Sequence, residues 1–310
     1  MLSATSIGMM IQVSILVLLC VGFSFTHMIE KFPNFAHTSF VSIGIMCTYT
    51  MVRLWGFNPY MAWPVASLAN GLVGIAIYLL MVRPIRNAGS GAIRLTFALF
   101  SLTFVIKSVL SIYSYWVMRT QGFRAIGFML RDFDFEFLGL PGIAILAPLT
   151  SLALVVALHI FLTRTKFGIS IKATSENPQL ASTLGININR VHLASWFITG
   201  ALAGLAGAAI PLWEYTNLSY SDALMIDVMA GSILGGLDNI YGAMVGGTAL
   251  AFIQTALPGI LLGPFGLGIA KFKPLIPIAV IIVILMYEPK GLTSILARGS
   301  RAIKRMRQRK

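Results

Sequence analysis

Charge is scarce in this chain, and acidic charge scarcest: of 310 residues only 10 are Asp or Glu, against 23 Lys and Arg. Soluble domains carry about a quarter charged residues. Here the share is 11%, and 57% of the chain is hydrophobic, which excludes an ordinary water-soluble domain. The two cysteines, Cys20 and Cys47, both lie inside apolar stretches and supply neither a metal set nor a disulfide framework. His27, His37, His159 and His192 are scattered, with no His-Glu-x-x-His pattern, and no Ser or Thr has a visible base nearby. That argues against a membrane-embedded enzyme. No Gly-x-x-x-x-Gly-Lys-Ser/Thr run is present to cradle ATP phosphates.

What is present is a succession of apolar stretches, and crossing a ~30 Å hydrocarbon core takes roughly 20 such residues per helix. Spans are expected near Ile7–Phe25, Phe35–Val52, Tyr60–Val82, Leu95–Tyr113, Gly142–Thr163, Leu193–Leu212, Ala223–Gly236, Gly242–Leu262 and Pro274–Tyr287. The seventh is short, so it is either tilted or re-entrant. The expected fold is therefore all-α: a polytopic transmembrane bundle of about eight or nine spans over residues 1–290, then a basic tail over 291–310. The first stretch has no basic region before it and no small-residue cleavage site, and reads as a retained span.

The net charge of +13 is placed with a bias. With nine crossings, Lys31, Arg83, Arg86, Arg94, Arg164, Lys166, Lys172, Arg190 and the tail fall on one side. Arg53, Arg119, Arg124, Arg131, Lys271 and Lys273 fall on the other. The positive-inside rule then puts the C-terminus in the cytoplasm and the N-terminus outside. The tail is expected on anionic lipid headgroups rather than on nucleic acid.

Between the ends, a charged side chain within a span costs about 2.5–3.5 kcal/mol on insertion scales, so each needs a reason. Lys107, about a turn and a half from the expected outer end of its span, is read as snorkelling. Asp227 is read as facing the bundle interior or a watery path, unless its span starts later and leaves it interfacial. Small residues cluster from Gly200 to Gly207 and from Gly231 to Gly247, Gly235 and Gly236 among them. They permit close helix contact or, alternatively, a direct contact with solute. A turn is expected at Asp238-Asn239. The alternation Asp132-Phe-Asp-Phe-Glu-Phe137 fits a short strand or interfacial segment, serving as a solvated cap or a docking surface.

The polar stretch from Thr165 to Gly185 is too hydrophilic for lipid. Asn177 is a candidate N-cap, Pro178 suits the first turn, and Gly185 suits the stop. A helix of seven or eight residues is marginal alone and needs a surface to pack on; Leu180 and Leu184 form its apolar ridge. It either rests on the lipid face or seats in a groove of a soluble partner.

Gln179-Leu-Ala181-Ser-Thr-Leu-Gly185 resembles the Glu-Ala-Ala-xxx-Gly loop of ABC-importer permeases. In order along the chain, several motifs resemble those of the branched-chain amino acid permease family. They are Asn34-Phe-Ala-His37, Arg83-Pro-Ile-Arg86, Glu176-Asn-Pro-Gln-Leu-Ala-Ser-Thr-Leu-Gly-Ile-Asn187, Leu234-Gly-Gly236 through Gly242-Ala-Met-Val-Gly-Gly247, and Pro289-Lys-Gly-Leu292. The chain departs from that family at Thr38-Ser39, where Gly-Glu is usual, and at Asp227, where lysine is often near.

The resemblance implies the membrane subunit of an ATP-driven importer of branched-chain or other small amino acids, with no catalytic site and no cofactor of its own. ATP and Mg would be held by two separate ABC ATPase subunits. A second permease subunit or a second copy of this chain, and an extracytoplasmic solute-binding protein, would complete the assembly. Residues Glu176, Asn177, Pro178, Gln179, Leu180, Ala181, Leu184 and Gly185 would couple to the ATPases. For the translocation pathway, the Pro33-Asn34 break is expected to start a helix below the membrane surface, its positive end towards a carboxylate. Asn34, Phe35 and His37 would then line the path with Gly235 and Gly236, although His37 suits an interfacial cap equally well. Asp227 would meet an ammonium group or make a helix contact. Importers of urea or short amides in the same family, and an ion-coupled secondary transporter, are the competing readings.

Overall fold

The computed structural model describes residues 4–89, 91–217, 219–265, 273–288 and 291–293. The basic tail and Pro289-Lys290 lie outside the described residues. The helices, in chain order, are α1 (Ala4–Glu30), α2 (His37–Tyr49), α3 (Pro59–Ile77), α4 (Arg83–Asn87), α5 (Ala92–Gln121), α6 (Gly142–Arg164), α7 (Lys166–Glu176), α8 (Pro178–Thr183), α9 (Ile188–Ala209), α10 (Tyr220–Gly235), α11 (Ile240–Phe265) and α12 (Leu275–Tyr287). π-helical turns continue α2 over Thr50–Leu54 and join α3 to α4 over Tyr78–Val82.

Every expected span is helical, but among the described residues only six helical runs have the length and apolarity to cross a bilayer: those beginning at Ala4, Pro59, Ala92, Gly142, Ile188 and Ile240. The segments over α2, α10 and α12 are shorter, at 13, 16 and 13 residues. A polytopic helical bundle stands, with three abbreviated members.

In hydrocarbon, water does not drive helices together, so they associate where backbones approach closely. This chain solves that with a glycine seam on α9. A Cβ on Gly200 would strike the Asn70 carbonyl of α3, and one on Gly207 the Val41 carbonyl of α2. From the other side, a Cβ on Gly44 of α2 would strike the Gly204 carbonyl, and one on Gly74 of α3 the Trp196 carbonyl. The small residues recur at helical spacing (200, 204, 207), as expected from the sequence, and they bring three helices to backbone contact. Polar stitches reinforce it: Thr26 Oγ1 on α1 donates to Thr199 Oγ1 at 2.6 Å, and Thr199 donates to the Gly22 carbonyl at 3.0 Å. Thr48 donates to the Ala208 carbonyl at 3.2 Å.

At one end of the bundle, residues 122–141 fold over the helix ends. Two short antiparallel ladders form, β1 (Gly127–Phe128) with β4 (Thr216–Asn217) and β2 (Glu136–Phe137) with β3 (Leu140–Pro141). Tyr60 donates to Asp134, which also accepts from the Ile143 N–H at 3.1 Å and so satisfies the start of α6. Arg53 lies over Phe133 and Arg131 over Trp213, at 4.7 and 5.0 Å from the ring centres. Asp132, Phe133, Phe135, Glu136 and Phe137 stay exposed.

Gly44→Val in α2 is expected to lower the thermal unfolding midpoint in detergent by several degrees. Overpacking costs about 1–3 kcal/mol, and the atom it meets is backbone that cannot rotate away. Gly91→Ala, where a Cβ meets nothing within 4 Å, is the control and should leave the midpoint within error.

Candidate functional site

The end opposite the capping loop is built around a buried carboxylate that sequence reasoning did not single out. Glu30, the last residue of α1, has a fully buried side chain. It pairs with Arg86 of α4 and accepts from His192 Nδ1 and Trp196 Nε1 of α9, each at 2.8 Å. Arg86 Nη1 lies 2.9 Å from His192 Nε2. A guanidinium only donates, so Nε2 is the acceptor and Nδ1 carries the proton: the imidazole is neutral. Tyr78 stacks on His192 at 5.7 Å and donates to Asn189 Oδ1 at 3.2 Å. Lys31 donates to Asp238 Oδ1 at 3.0 Å, which ties the α1 end to the α10–α11 turn. Arg83-Pro-Ile-Arg86 is the visible signal; its partners, up to 166 residues away from one another, leave none.

On the same end stands the polar stretch. Two helices form there instead of one. Thr165 caps α7 by accepting from Gly168 N–H at 2.9 Å, while Ile171 and Thr174, both fully buried, face the bundle. After Glu176 the chain turns at Asn177, whose Oδ1 accepts from the Leu180 N–H at 3.0 Å, and Pro178 opens α8. Gly185 takes φ +81°, a left-handed conformation that costs glycine little, while its N–H donates to the Ser182 carbonyl. Caps and stop therefore sit where the sequence places them. Ala181 is the residue turned inward, and the Leu180 and Leu184 ridge, expected to meet lipid or a soluble partner, is 59% and 73% exposed on this chain. Glu176, Asn177, Pro178 and Gln179 are exposed beside them.

The residues expected along a pathway are separated. Asn34 and His37 are fully buried at the start of α2. His37 Nε2 lies 3.1 Å from the Leu19 carbonyl, eleven residues before the α1 terminus, so the start of α2 sits roughly 16 Å along α1 from that end at 1.5 Å per residue. Asn34 Nδ2 and His37 Nδ1 have no partner among the described residues. Neither residue lines the cavities on either side of α10. Phe35 lines one of them, together with Thr38 and Ser39, two of the positions at which the sequence departs from its resemblance; that cavity, about 270 Å³, lies between α2, α5 and α10. Asp227 is on the other side of α10, in a cavity of about 180 Å³ beside Gln12, Glu214, Tyr220 and Lys273. It accepts from Gln254 Nε2 at 2.7 Å, and Gln254 in turn accepts from Gln12 at 2.8 Å, a chain of polar contacts across α10, α11 and α1. Gly235 and Gly236 border neither cavity; Gly235 lies against the Gly242 carbonyl and closes the α10–α11 hairpin, where Asn239 caps α11.

Lys107 does not snorkel. Helix α5 runs on to Gln121, which leaves Lys107 fourteen residues, about 21 Å, from the helix end. It pairs instead with Asp222 in the first turn of α10. A further cavity, about 550 Å³ between α3, α6 and α9, has Ser67 as its one polar lining residue and offers nothing to orient a charged solute.

Helices of bilayer length, one charged end with a capped polar turn, and a capped opposite end define a multi-pass protein of the cell membrane. The family model described as branched-chain amino acid transport system / permease component matches residues 6–285, and the chain belongs to that family, a transport component rather than a catalytic subunit. It is 31% identical over 288 residues to a probable branched-chain amino acid transport permease protein LivH of Methanocaldococcus jannaschii, covering 93% of this chain and 91% of that one. It is 23% identical to the high-affinity branched-chain amino acid transport system permease protein BraD of Pseudomonas aeruginosa, covering 89% and 90%. A nucleoside ABC transporter permease protein, NupC of Lactococcus lactis, is 34% identical over 118 residues, covering 35% of this chain and 37% of that one. No solved structure matches.

Removing one member of a buried ion pair costs about 3–5 kcal/mol, because the other charge is left without its partner. Arg86→Met is therefore expected to cut the amount of folded chain in membranes sharply. Adding Glu30→Gln should recover much of it. Equal loss in single and double variants, read by fluorescence-detected chromatography, would contradict this account of the cluster.

Proposed function

We propose that this chain is the membrane subunit of an ATP-driven importer of branched-chain or similar small amino acids. It works by alternating access, with its C-terminus and the α7–α8 turn in the cytoplasm. Two ABC ATPase subunits, which hold ATP and Mg, seat on α8; an extracytoplasmic solute-binding protein delivers solute to the capped end. A second permease subunit, homologous or identical, completes the passage, and the basic tail lies on anionic lipid.

The observation that carries this reading is the state of α8. Six residues of helix cannot hold themselves together in water. This one is fixed by its Asn177 cap, its Gly185 stop and the buried Ala181, and it presents two leucines outward. A bare apolar ridge on a rigid, polar-flanked knob fits a groove in a soluble partner better than it fits solvent. Its mount explains the leverage. Helix α7 packs on α1, α6 and α9, the helices that carry the bundle core, so a push on α8 reaches the glycine seam through packed side chains rather than through a slack loop. The family membership and its relatives' printed functions support the amino acid substrate.

The test is a pair of substitutions in and beside α8. Leu184→Asp desolvates a charge if the ridge docks, and Gly185→Val forces a branched residue into positive φ. Both are expected to insert at parental levels yet to lose ATPase subunits on purification and solute uptake by about tenfold or more, the equivalent of ~1.4 kcal/mol or more of coupling. Full uptake with bound ATPases in both variants would overturn the coupling role.

A further inference from the structure

Helix α5 is the least covered of the six long helices among the described residues, with α6 next at 22%. Only 11% of its most apolar window is buried, against 61% for α1 and 67% for α9. Midway along this bare helix stands Lys107, paired with Asp222 of α10, and the side chains are 24% and 56% exposed. The two charges sit at the same depth, about 22 Å and 20 Å from the ends of their helices at the α7–α8 side. A half-exposed ion pair at that depth is costly against hydrocarbon, because the outer faces of both charges are left unsolvated there. A watery path along that face of α5 and α10 would solvate them.

Beside the pair lies the 270 Å³ cavity, near the small end of ligand pockets. Its walls divide by chemistry. Phe35, Phe100, Phe104, Met225 and Ile226 make an apolar, aromatic side. Lys107, Asp222, Thr38, Ser39, Thr103 and Ser221 make a polar one. Serine and threonine hydroxyls can each donate and accept, and a lysine ammonium has three donors of which the Asp222 contact uses one. The cavity thus offers a cation, an anion and an apolar wall within one small volume.

We infer that the cavity between α2, α5 and α10 is a solute-binding site for a free amino acid with an apolar side chain, its carboxylate at Lys107 and its ammonium at Asp222. The inference rests on the importer reading above and assigns the residues of its solute site. An entering zwitterion opens the Lys107–Asp222 pair and takes each charge in turn, so no charge is left bare at any stage. An empty site closes on itself as an ion pair. Side-chain length is read by Phe100, Phe104 and Met225, whereas Asn34 and His37 hold the start of α2 in place behind Phe35 without touching the solute. Asp227 belongs to the separate cavity across α10, five residues and about 140° of helical turn away from Asp222.

The experiment uses the assembled importer, with its ATPases and binding protein, in membrane vesicles. Thr103, one helical turn from Lys107, is changed to Cys in a Cys47→Ala chain, and the rate of modification by a small cationic methanethiosulfonate is followed. The Cys47→Ala chain without Thr103→Cys is the blank, since Cys20 is buried. Modification is expected to proceed, and leucine should slow it. Leucinamide, which lacks the carboxylate, and 4-methylpentanoate, which lacks the ammonium, should not. Lys107→Met and Asp222→Asn should each raise the leucine concentration for half-protection about tenfold or more, the loss of one charge-assisted hydrogen bond. Lys107→Arg should retain protection, and co-purifying ATPases report that each variant is folded. A Thr103→Cys thiol that is unreactive, one that reacts equally fast with leucine, or protection unchanged by Lys107→Met overturns the site. Leucine uptake by the wild-type importer in the same vesicles separates the two readings. Uptake without protection removes this site and leaves the importer standing; absence of leucine uptake removes the amino acid reading and the site with it.

Discussion

Backbone contact along α9 is the constraint on which the rest of this bundle depends. In lipid the hydrophobic effect does not pull helices together, so their association falls to van der Waals contact and hydrogen bonds across closely approaching backbones. Gly200, Gly204 and Gly207 let α3 and α2 reach the α9 backbone, and Thr26, Thr48 and Thr199 fasten the approach with hydroxyls. With α9 fixed, its first turns hold His192 and Trp196 against Glu30, which locks the α1 end and draws in Arg86. The seam and the ionic cluster are thus consecutive parts of one helix, one apolar and deep, the other charged and terminal.

That arrangement gives the α7–α8 turn something rigid to act against. Ile171 and Thr174 are buried towards the same core, while Leu180 and Leu184 face away from it. A knob that is stiff on one side and bare on the other can transmit displacement; a flexible loop would absorb it. The opposite end is closed differently, by short ladders and by Asp134 bridging Tyr60 and the start of α6. Between the two ends, among the described residues, Lys107 is paired with Asp222 and Asp227 with Gln254. The scarcity of acidic residues is part of the design, since each one inside the bilayer requires such an arrangement.

Local signals in the sequence carry far. Long apolar runs locate the long helices of the bundle, because lipid leaves an intrasegment helix as the way to satisfy backbone groups. Asn177, Pro178 and Gly185 locate α8 to the residue, because capping and positive φ are properties of a few adjacent atoms. Small residues at helical spacing identify the α9 seam. What fails are statements that need to know what stands opposite. Snorkelling of Lys107 gives way to a pairing with Asp222, 115 residues further along the chain, and the inward turn of Ala181 between two outward leucines has no local signal. Helix α7 is hidden by its polar surface, although Ile171 and Thr174 lie on one face.

By itself, then, the sequence determined the class of protein, the order of its apolar helices, the polar turn with its caps, and the end on which most positive charge collects. These follow from composition and from contacts among neighbours along the chain. Only the tertiary structure decided that Glu30 is the hub of Arg86, His192 and Trp196. Only it decided that Phe35, Lys107 and Asp222 share a cavity from which Asn34, His37 and Asp227 are excluded. Such pairings span tens to hundreds of residues, and no local periodicity encodes which face of a helix meets which neighbour when nearly every face is apolar.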